Sequence, residues 1–534
     1  MEKGDRIFLT IDIGTTAIRV SALDEEYKVL SCKKKEYQLK TEKERVTLQP
    51  DVYWNYTKEG IGEIIRNCDS SKIAGITVTT QGETLIPVDA DGVPLYDALV
   101  WLDARGVSQA EKIVGTVDGE REKQAGIVTP EEFYQRTGIV ECNGLCPISK
   151  LLWFKEEEPQ IYEKTYLFML LEDYIIYRLT GKMVTEKSLL STTGYFDIVK
   201  DELWTGLLDA LGLDREKIPS ILECGQIVGE ITEEVAGLGI PKQTLVVTGA
   251  MDQVCGAVGA GNYAPGGLTE TTGTALCIGK TVEKKSVFER KGIPVYRHYH
   301  KGLQLLLPVC MTAGMALKWF KDNFCGEEIA KAAQSGADVY DLLSALAESS
   351  QPLSGGVIML PYLNGSLQPY QAPNFKGGFL GVGLHSTKAD FVRALMEGVG
   401  YMLRENLELL EKEGSHSSRM ISMGGGAKSA VWCRIKADIT GMEIHALKES
   451  ETASIGAAML CKMGLDGQTR LPERGAAGEY AEPGEEQNEQ TTFSDRETVF
   501  VPNRTNRAAY EYGYQKYCWY LKRLISNDLR ECAP

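Results

Sequence analysis

Apolar and polar positions alternate along this chain with two different periods. Ile7–Ile13 is a β-type run, and after Gly14-Thr15-Thr16 a second one covers 18–23, which predicts a hairpin with a polar turn. Residues 52–67 take helical spacing, with Tyr53, Tyr56, Ile61, Ile64 and Ile65 along one side. Ile73–Thr80 reads as a buried strand, broken at its end by polar Gln81-Gly82-Glu83. Leu85–Val88 followed by Asp91-Gly92 predicts another hairpin, and 97–101 leads to Asp103 and Arg105. Helical spacing dominates 131–179.

The next β-rich run, 244–247, delivers a stretch of small residues from Gly249 to Gly261 that holds a single carboxylate, Asp252. Small flanks let a ligand or neighbouring backbone come close, and a carboxylate at a strand end beside them is a candidate catalytic base. The same pattern suits an aspartate that caps an Ala/Gly helix. Residues 267–272, Gly273-Thr274 and 275–278 then repeat the strand–Gly-Thr–strand order of the N-terminus, which predicts two similar halves meeting near Cys255. A long amphipathic helix is expected over 388–413, with Phe391, Leu395, Val399, Leu403, Leu407 and Leu410 as its apolar stripe. Residues 421–423 run into Gly424-Gly425-Gly426. The Gly/Glu/Gln-rich stretch 467–496 reads as a solvated insertion. Helix returns over 508–525, where Tyr510, Tyr514, Tyr517, Leu521 and Leu524 share a face that suits a core or interface rather than a nucleic-acid platform.

Composition narrows the function classes. At 534 residues the chain exceeds one ordinary domain, and its 43% hydrophobic and 25% charged content is that of a soluble globular protein. A net charge of −16 argues against nucleic acid or an anionic membrane as a partner. The 13 cysteines are odd in number and include no CxxC, so a reduced, cytoplasmic setting is expected. No signal-peptide pattern opens the chain, no apolar run reaches membrane-span length, and the five histidines form no metal pattern.

Asp12-Ile-Gly-Thr15-Thr16 places an acid and two hydroxyls on a turn whose backbone N–H groups can hold phosphate oxygens, and Arg19 adds positive charge nearby. Asp12 can hold a magnesium-bound water. Gly273-Thr274 fits the same phosphate task, and Gly424–Gly426 lets a base or phosphate approach the backbone. No GxxxxGK[ST] occurs, and the GxxGxG at 256–261 has the wrong order and place for a dinucleotide fingerprint.

Taken together the motifs resemble the FGGY family of carbohydrate kinases. Gly377-Gly-Phe379-Leu-Gly381-Val382, then seven residues, then Asp390-Phe391-Val-Arg-Ala394-Leu395-Met396-Glu397 is similar to the family's C-terminal signature. Lys150-Leu-Leu-Trp153-Phe154 is similar to the core of its other signature, from whose first position Leu145 departs. The resemblance runs over nearly the whole chain. It implies an α/β fold of two ribonuclease-H-like domains, of the actin/hexokinase/Hsp70 type, around a central cleft. Residues 1–254 would hold the sugar and the base, and 255–534 would hold ATP. Asp252 would be the catalytic base, and Asp12 would lie near Mg2+, through water. Thr15, Thr16, Arg19, Gly273, Thr274, Gly314, Gly425, Gly426 and Ala427 would bind ATP. Gln81, Glu83, Trp101, Asp103 and Gln253 would contact the substrate. The implied partners are ATP and a small sugar or polyol, with a homodimer as the expected assembly.

The pocket residues leave the sugar open at this stage. Xylulose kinases of the family carry Met-His where Gly82-Glu83 stands and Asn where Gln253 stands, whereas glycerol kinases carry Arg-Glu and Gln. Trp101-x-Asp103-x-Arg105 is closer to the xylulose-kinase pattern. A ketose such as xylulose leads, with glycerol, erythritol or ribulose as alternatives. A catalytically silent sugar-binding protein and a sugar-independent ATPase are the readings from other classes.

Overall fold

The structure is a computed structural model that describes residues 5–118, 121–285, 292–366, 370, 372, 374–412, 417–448, 451–472 and 497–531. Most of the expected 467–496 insertion lies outside the described residues. By packing, the chain divides into two units rather than by a single cut near Cys255. The first comprises described residues within Met1–Tyr263, Glu283–Leu305 and Glu451–Thr491, and the second those within Ala264–Val282, Leu306–Ser450 and Thr492–Pro534.

The first unit is built on strands β1 (Ile7–Ile13), β2 (Ala17–Leu23), β3 (Val29–Glu36), β4 (Ile73–Thr80), β5 (Ile227–Glu230) and β6 (Leu245–Val247), in the order β5-β6-β4-β1-β2-β3. All seven side chains of β1 are buried, because helices and loops cover both faces of the sheet there. The outermost strand β3 alternates between half-buried and exposed positions, as a sheet edge in water does. β1 and β2 form the expected hairpin, in which Asp12 faces Arg19 and the Gly14 N–H donates to the Ala17 carbonyl at 3.1 Å. β4 and β6 run parallel to β1, so all three deliver their C-terminal ends to one edge of the sheet. α1 (Pro50–Ile65) starts with proline in its first turn and buries Tyr53, Trp54, Ile61 and Ile64. The helical stretch expected over 131–179 resolves into several helices, among them α2 (Pro147–Glu157) and α3 (Leu171–Thr180), with a short strand, Leu167–Leu170, between.

α4 (Asp252–Gly259) follows β6 and packs against the helix Thr452–Leu465, which returns from the far end of the sequence. The two backbones nearly touch. A Cβ on Gly259 would stand 1.9 Å from the Thr452 carbonyl oxygen, and one on Gly456 would stand 1.9 Å from that of Cys255. The small residues that follow Asp252 therefore serve this helix crossing, the close approach of neighbouring backbone that they were expected to allow. Gly456→Ala is expected to destabilise the protein by about 3 kcal/mol, the upper range for overpacking, and a calorimetric melt would read this as a fall of several degrees.

The second unit repeats the strand pattern. β7 (Leu268–Thr272) and β8 (Leu276–Glu283) form an antiparallel hairpin. β9 (Arg419–Met423) and β10 (Glu443–Leu447) continue the sheet parallel to β7, and β11 (Glu497–Phe500) closes it antiparallel. This hairpin–parallel–parallel–antiparallel sequence is that of β2, β1, β4, β6 and β5. The long amphipathic helix, Lys388–Leu410, begins with a capping box between Thr387 and Asp390 and ends three residues earlier than 388–413 implied. In the last helix, Arg507–Glu531, Tyr510, Tyr514, Tyr517 and Leu521 are buried as expected. Ile525 takes the next inward position and Leu524 is 39% exposed, because the stripe advances by four residues at that turn. Among the described residues no helix is long and apolar enough to cross a membrane.

Candidate functional site

In the first unit the strand ends gather the expected residues at one sheet edge. Asp12, next to last in β1, is buried, and the Arg19 guanidinium lies 3.3 Å from its carboxylate. Arg19 also reaches Glu451 at 3.5 Å. Burial, with the Glu451 charge, outweighs Arg19 and pushes the Asp12 carboxyl up to about 6. On the turn, Thr16 is exposed, and Thr15 accepts a hydrogen bond at 3.0 Å from the Trp101 indole N–H.

Beyond β4, the Gln81 backbone N–H donates to the Ile13 carbonyl at 2.9 Å, and its side-chain amide donates to Thr84 at 3.0 Å. Glu83 sits in the left-handed region at φ 66°, unusual for a side chain of its size. Burial raises its carboxyl to about 7 against the pull of the nearby Lys150 ammonium. Asp103, expected among the substrate contacts, is held from its own loop. It is fully buried, and its two oxygens are taken by Arg105 at 2.8 Å each and by the Val46 N–H at 2.7 Å, so it braces the loop.

Asp252 is the first residue of α4, and Met251 is its N-cap, which moves the capping reading by one position. Burial comes first among the causes that raise its carboxyl to about 7, and the Asp12 and Glu83 charges add to it. The backbone and side chain of Gln253, itself exposed, pull the other way. A carboxyl held near neutrality by its surroundings is matched to proton transfer at working pH.

The preceding loop is pinned from behind by residues that sequence reasoning missed. The Thr79 hydroxyl donates to the Ala250 carbonyl at 2.7 Å. The Gly249 N–H donates to Glu172 at 3.0 Å, and the Met251 N–H donates to the Ser188 hydroxyl at 3.0 Å. That hydroxyl in turn donates to Glu186 at 2.8 Å. No motif marks these partners, because they come from distant stretches of the chain.

The second unit gathers the other expected set. Gly273 closes the turn after β7 by donating to Ala275 at 3.0 Å. The helix Gly314–Phe324 starts directly on this turn. Gly314 donates to the Gly273 carbonyl at 2.8 Å, and a Cβ on Gly314 would meet that oxygen at 2.4 Å, so only glycine fits. Thr274 is exposed, as is Gly425, while Gly426 and Ala427 are buried in the loop after β9.

Beneath both loops lies a buried polar cluster. The Lys436 ammonium is 2.6 Å from Glu270 and 2.7 Å from the Thr272 hydroxyl, with Lys436 and Glu270 both fully buried. The Ser422 hydroxyl donates to the same Glu270 carboxylate, and a Cβ on Gly426 would be 3.2 Å from the Lys436 nitrogen. Glu270 thus ties β7 to β9 through Ser422 and to the helix Ala430–Thr440 through Lys436.

Comparison with known proteins agrees with this layout. Residues 7–259 match the FGGY family of carbohydrate kinases, N-terminal domain, and residues 269–465 match its C-terminal domain. A xylulose kinase of Staphylococcus epidermidis is 28% identical over 515 residues, covering 96% of this chain and 95% of its own. A gluconokinase of Bacillus subtilis is 28% identical over 455 residues, covering 85% and 86%. Among solved structures, a ligand-bound xylulose kinase from Lactobacillus acidophilus superposes with a TM-score of 0.82 at 22% identity, covering 98% of this chain and 99% of its own, which is a likeness of fold. With both domains matched in order over most of its length, this chain belongs to the FGGY family of carbohydrate kinases, enzymes that transfer phosphoryl groups to sugars.

Proposed function

We propose that the protein transfers the γ-phosphoryl group of ATP to a hydroxyl of a neutral ketose or related polyol, with xylulose the leading substrate. The observation that carries this reading is the placement of Asp252 at the head of α4, its carboxyl raised to about 7 and Asp12 and Glu83 close enough to share its field. In the proposal Asp252 accepts the proton of the attacking hydroxyl. Gln81, Glu83, Trp101 and Gln253 hold the sugar, and Asp103 keeps their loop in place. Thr15, Thr16, Arg19 and the Gly273-Thr274 turn receive phosphate oxygens. Gly314 and Gly425–Ala427 leave room for the nucleotide.

The residues suit a magnesium nucleotide. Among the described residues no group of three or more His, Cys, Asp or Glu forms a metal cage. Magnesium bound with a nucleotide needs one or two carboxylates and otherwise keeps waters and phosphate oxygens, and Asp12 can serve it through water. When bound, it would neutralise phosphate charge during transfer.

A neutral substrate is favoured over an acid sugar because three carboxyls interact at this edge, and the nearby Lys150 ammonium is occupied by two backbone carbonyls. A further negative charge there meets repulsion from these carboxyls. A coupled ADP-release assay over xylulose, ribulose, xylitol, erythritol, glycerol and gluconate tests the reading. Xylulose or a close relative is expected to lead, with gluconate at least about 100-fold lower in kcat/KM, the discrimination typical of a mismatched polar group. Gluconate as the best substrate would overturn the assignment. Silence across the panel, with sugar-induced thermal shifts, would point to a binding protein.

A further inference from the structure

We infer that Lys150 is a positioning residue for the sugar side of the site, one buried ammonium tying the Gln81–Glu83 loop to the Trp101 loop. The inference rests on the kinase reading above and adds to it a role for the signature lysine, which neither the base nor the phosphate turns absorb. Lys150 lies on α2, where its side chain is fully buried. Its ammonium donates to the Glu83 carbonyl at 3.2 Å and to the Val100 carbonyl at 2.9 Å.

The first bond holds the residue that carries the left-handed backbone. A conformation of that kind persists where its surroundings fix it. The second bond holds the residue before Trp101. The Trp101 N–H reaches Thr84 at 3.3 Å, and its indole N–H reaches Thr15 at 3.0 Å. Thr84 also accepts from the Gln81 side chain at 3.0 Å. A single donor therefore sets the spacing between the two substrate loops. A lysine that loses its charge loses the charge-assisted part of both bonds.

The charge on Lys150 is under opposing influences. Burial is the largest and pushes its ammonium down to about 8, with Arg105 acting in the same direction, while Glu83, Asp103 and Cys146 favour the charged form. The protonated, loop-holding form is thus present at neutral pH and drains away as pH rises through about 8.

The test is steady-state kinetics of the full chain with xylulose and ATP between pH 6 and 9.5. In the wild type, kcat/KM for xylulose should fall on the alkaline side near pH 8, while kcat/KM for ATP at saturating sugar should not. Lys150→Met should raise the KM for xylulose by about tenfold or more, leave the KM for ATP within about twofold, and abolish the alkaline limb. A lysine that only supports stability would lower the melting temperature without this split and without removing the limb. An unchanged sugar KM in Lys150→Met, or sugar and ATP KM values rising together, would overturn the inference. Should Lys150→Met fail to fold, the wild-type profile decides alone, since a sugar kcat/KM flat to pH 9.5 rules the role out. A wild type that turns over no sugar removes the kinase reading and this inference together, whereas an active wild type with an indifferent Lys150→Met removes only the inference.

Discussion

Asp252→Asn is expected to lower kcat/KM for the sugar by about 10^3-fold, within the range for loss of a general base, while ATP still binds in a calorimetric titration. The amide keeps the size and most of the hydrogen bonding of the carboxylate but has no acceptor for the hydroxyl proton. The wild type should lose activity as pH falls through about 7, because burial and the neighbouring Asp12 and Glu83 hold the base protonated below that point. The residual activity of Asp252→Asn should lack that limb. Stability moves in the opposite sense. A carboxyl raised from 3.8 to about 7 binds its proton more tightly in the folded state. Its contribution is therefore fully present below about pH 4 and is lost as pH rises to 7 and beyond. At pH 8 the ionised wild type carries a half-buried charge beside Asp12 and Glu83 that the variant lacks, so Asp252→Asn should melt higher than wild type there, with the gap closing toward pH 4. Undiminished turnover in the variant would sink the base assignment, and a variant that melts lower at pH 8 would sink the account of its environment.

Lys436→Met should have the largest effect on stability. It leaves Glu270 fully buried without its cation, and breaking a buried pair from one side costs about 3–5 kcal/mol. Thr272 loses its bond from the ammonium at the same time, and Ser422 is left donating to an uncompensated carboxylate, so the charge balance beneath the loops that start at Gly273 and Gly424 is lost. Affinity for a non-hydrolysable ATP analogue should fall by more than about tenfold, equivalent to about 1.4 kcal/mol. Adding Glu270→Gln removes the stranded charge and should recover part of the melting temperature, because two neutral partners cost less than one isolated ion. Full nucleotide affinity in folded Lys436→Met would show that the pair supports stability and not the loops.

What could be read from the residues themselves was local and periodic. The hairpin at Ile7–Leu23, the buried strand Ile73–Thr80 and the stripe of the Lys388–Leu410 helix follow from spacing of apolar positions, which the sheet and helix geometry preserve. Asp252 stood out as a lone acid after a strand among small residues, a pattern shared with a helix cap, and the family resemblance gave it the role of base. What spacing could not show is partnership. Asp103 was placed among the substrate contacts by the family resemblance, and spacing alone could not show that both its oxygens bond Arg105. Glu172, Ser188 and Lys436 looked like ordinary polar positions, and only the folded chain brings them under the loops they brace. The small residues after Asp252 were read as room for a ligand or for neighbouring backbone, and it is backbone that comes close. Their partner, Gly456, lies far along the chain and could not be paired with them by any local pattern.

That partnership has a consequence for how the protein is made. β1, β4 and α4 leave the ribosome well before the Thr452–Leu465 helix that packs on all three. Synthesis of the intervening stretch, about 200 residues, takes roughly 10–40 s at ordinary elongation rates. For that interval the apolar side of α4, with Val254, Cys255 and Val258, has no helix to cover it. The first unit, although the first to begin, therefore stays unfinished until most of the second has been made. A nascent chain paused before residue 452 should hold chaperones on that surface and release them once Leu465 has emerged.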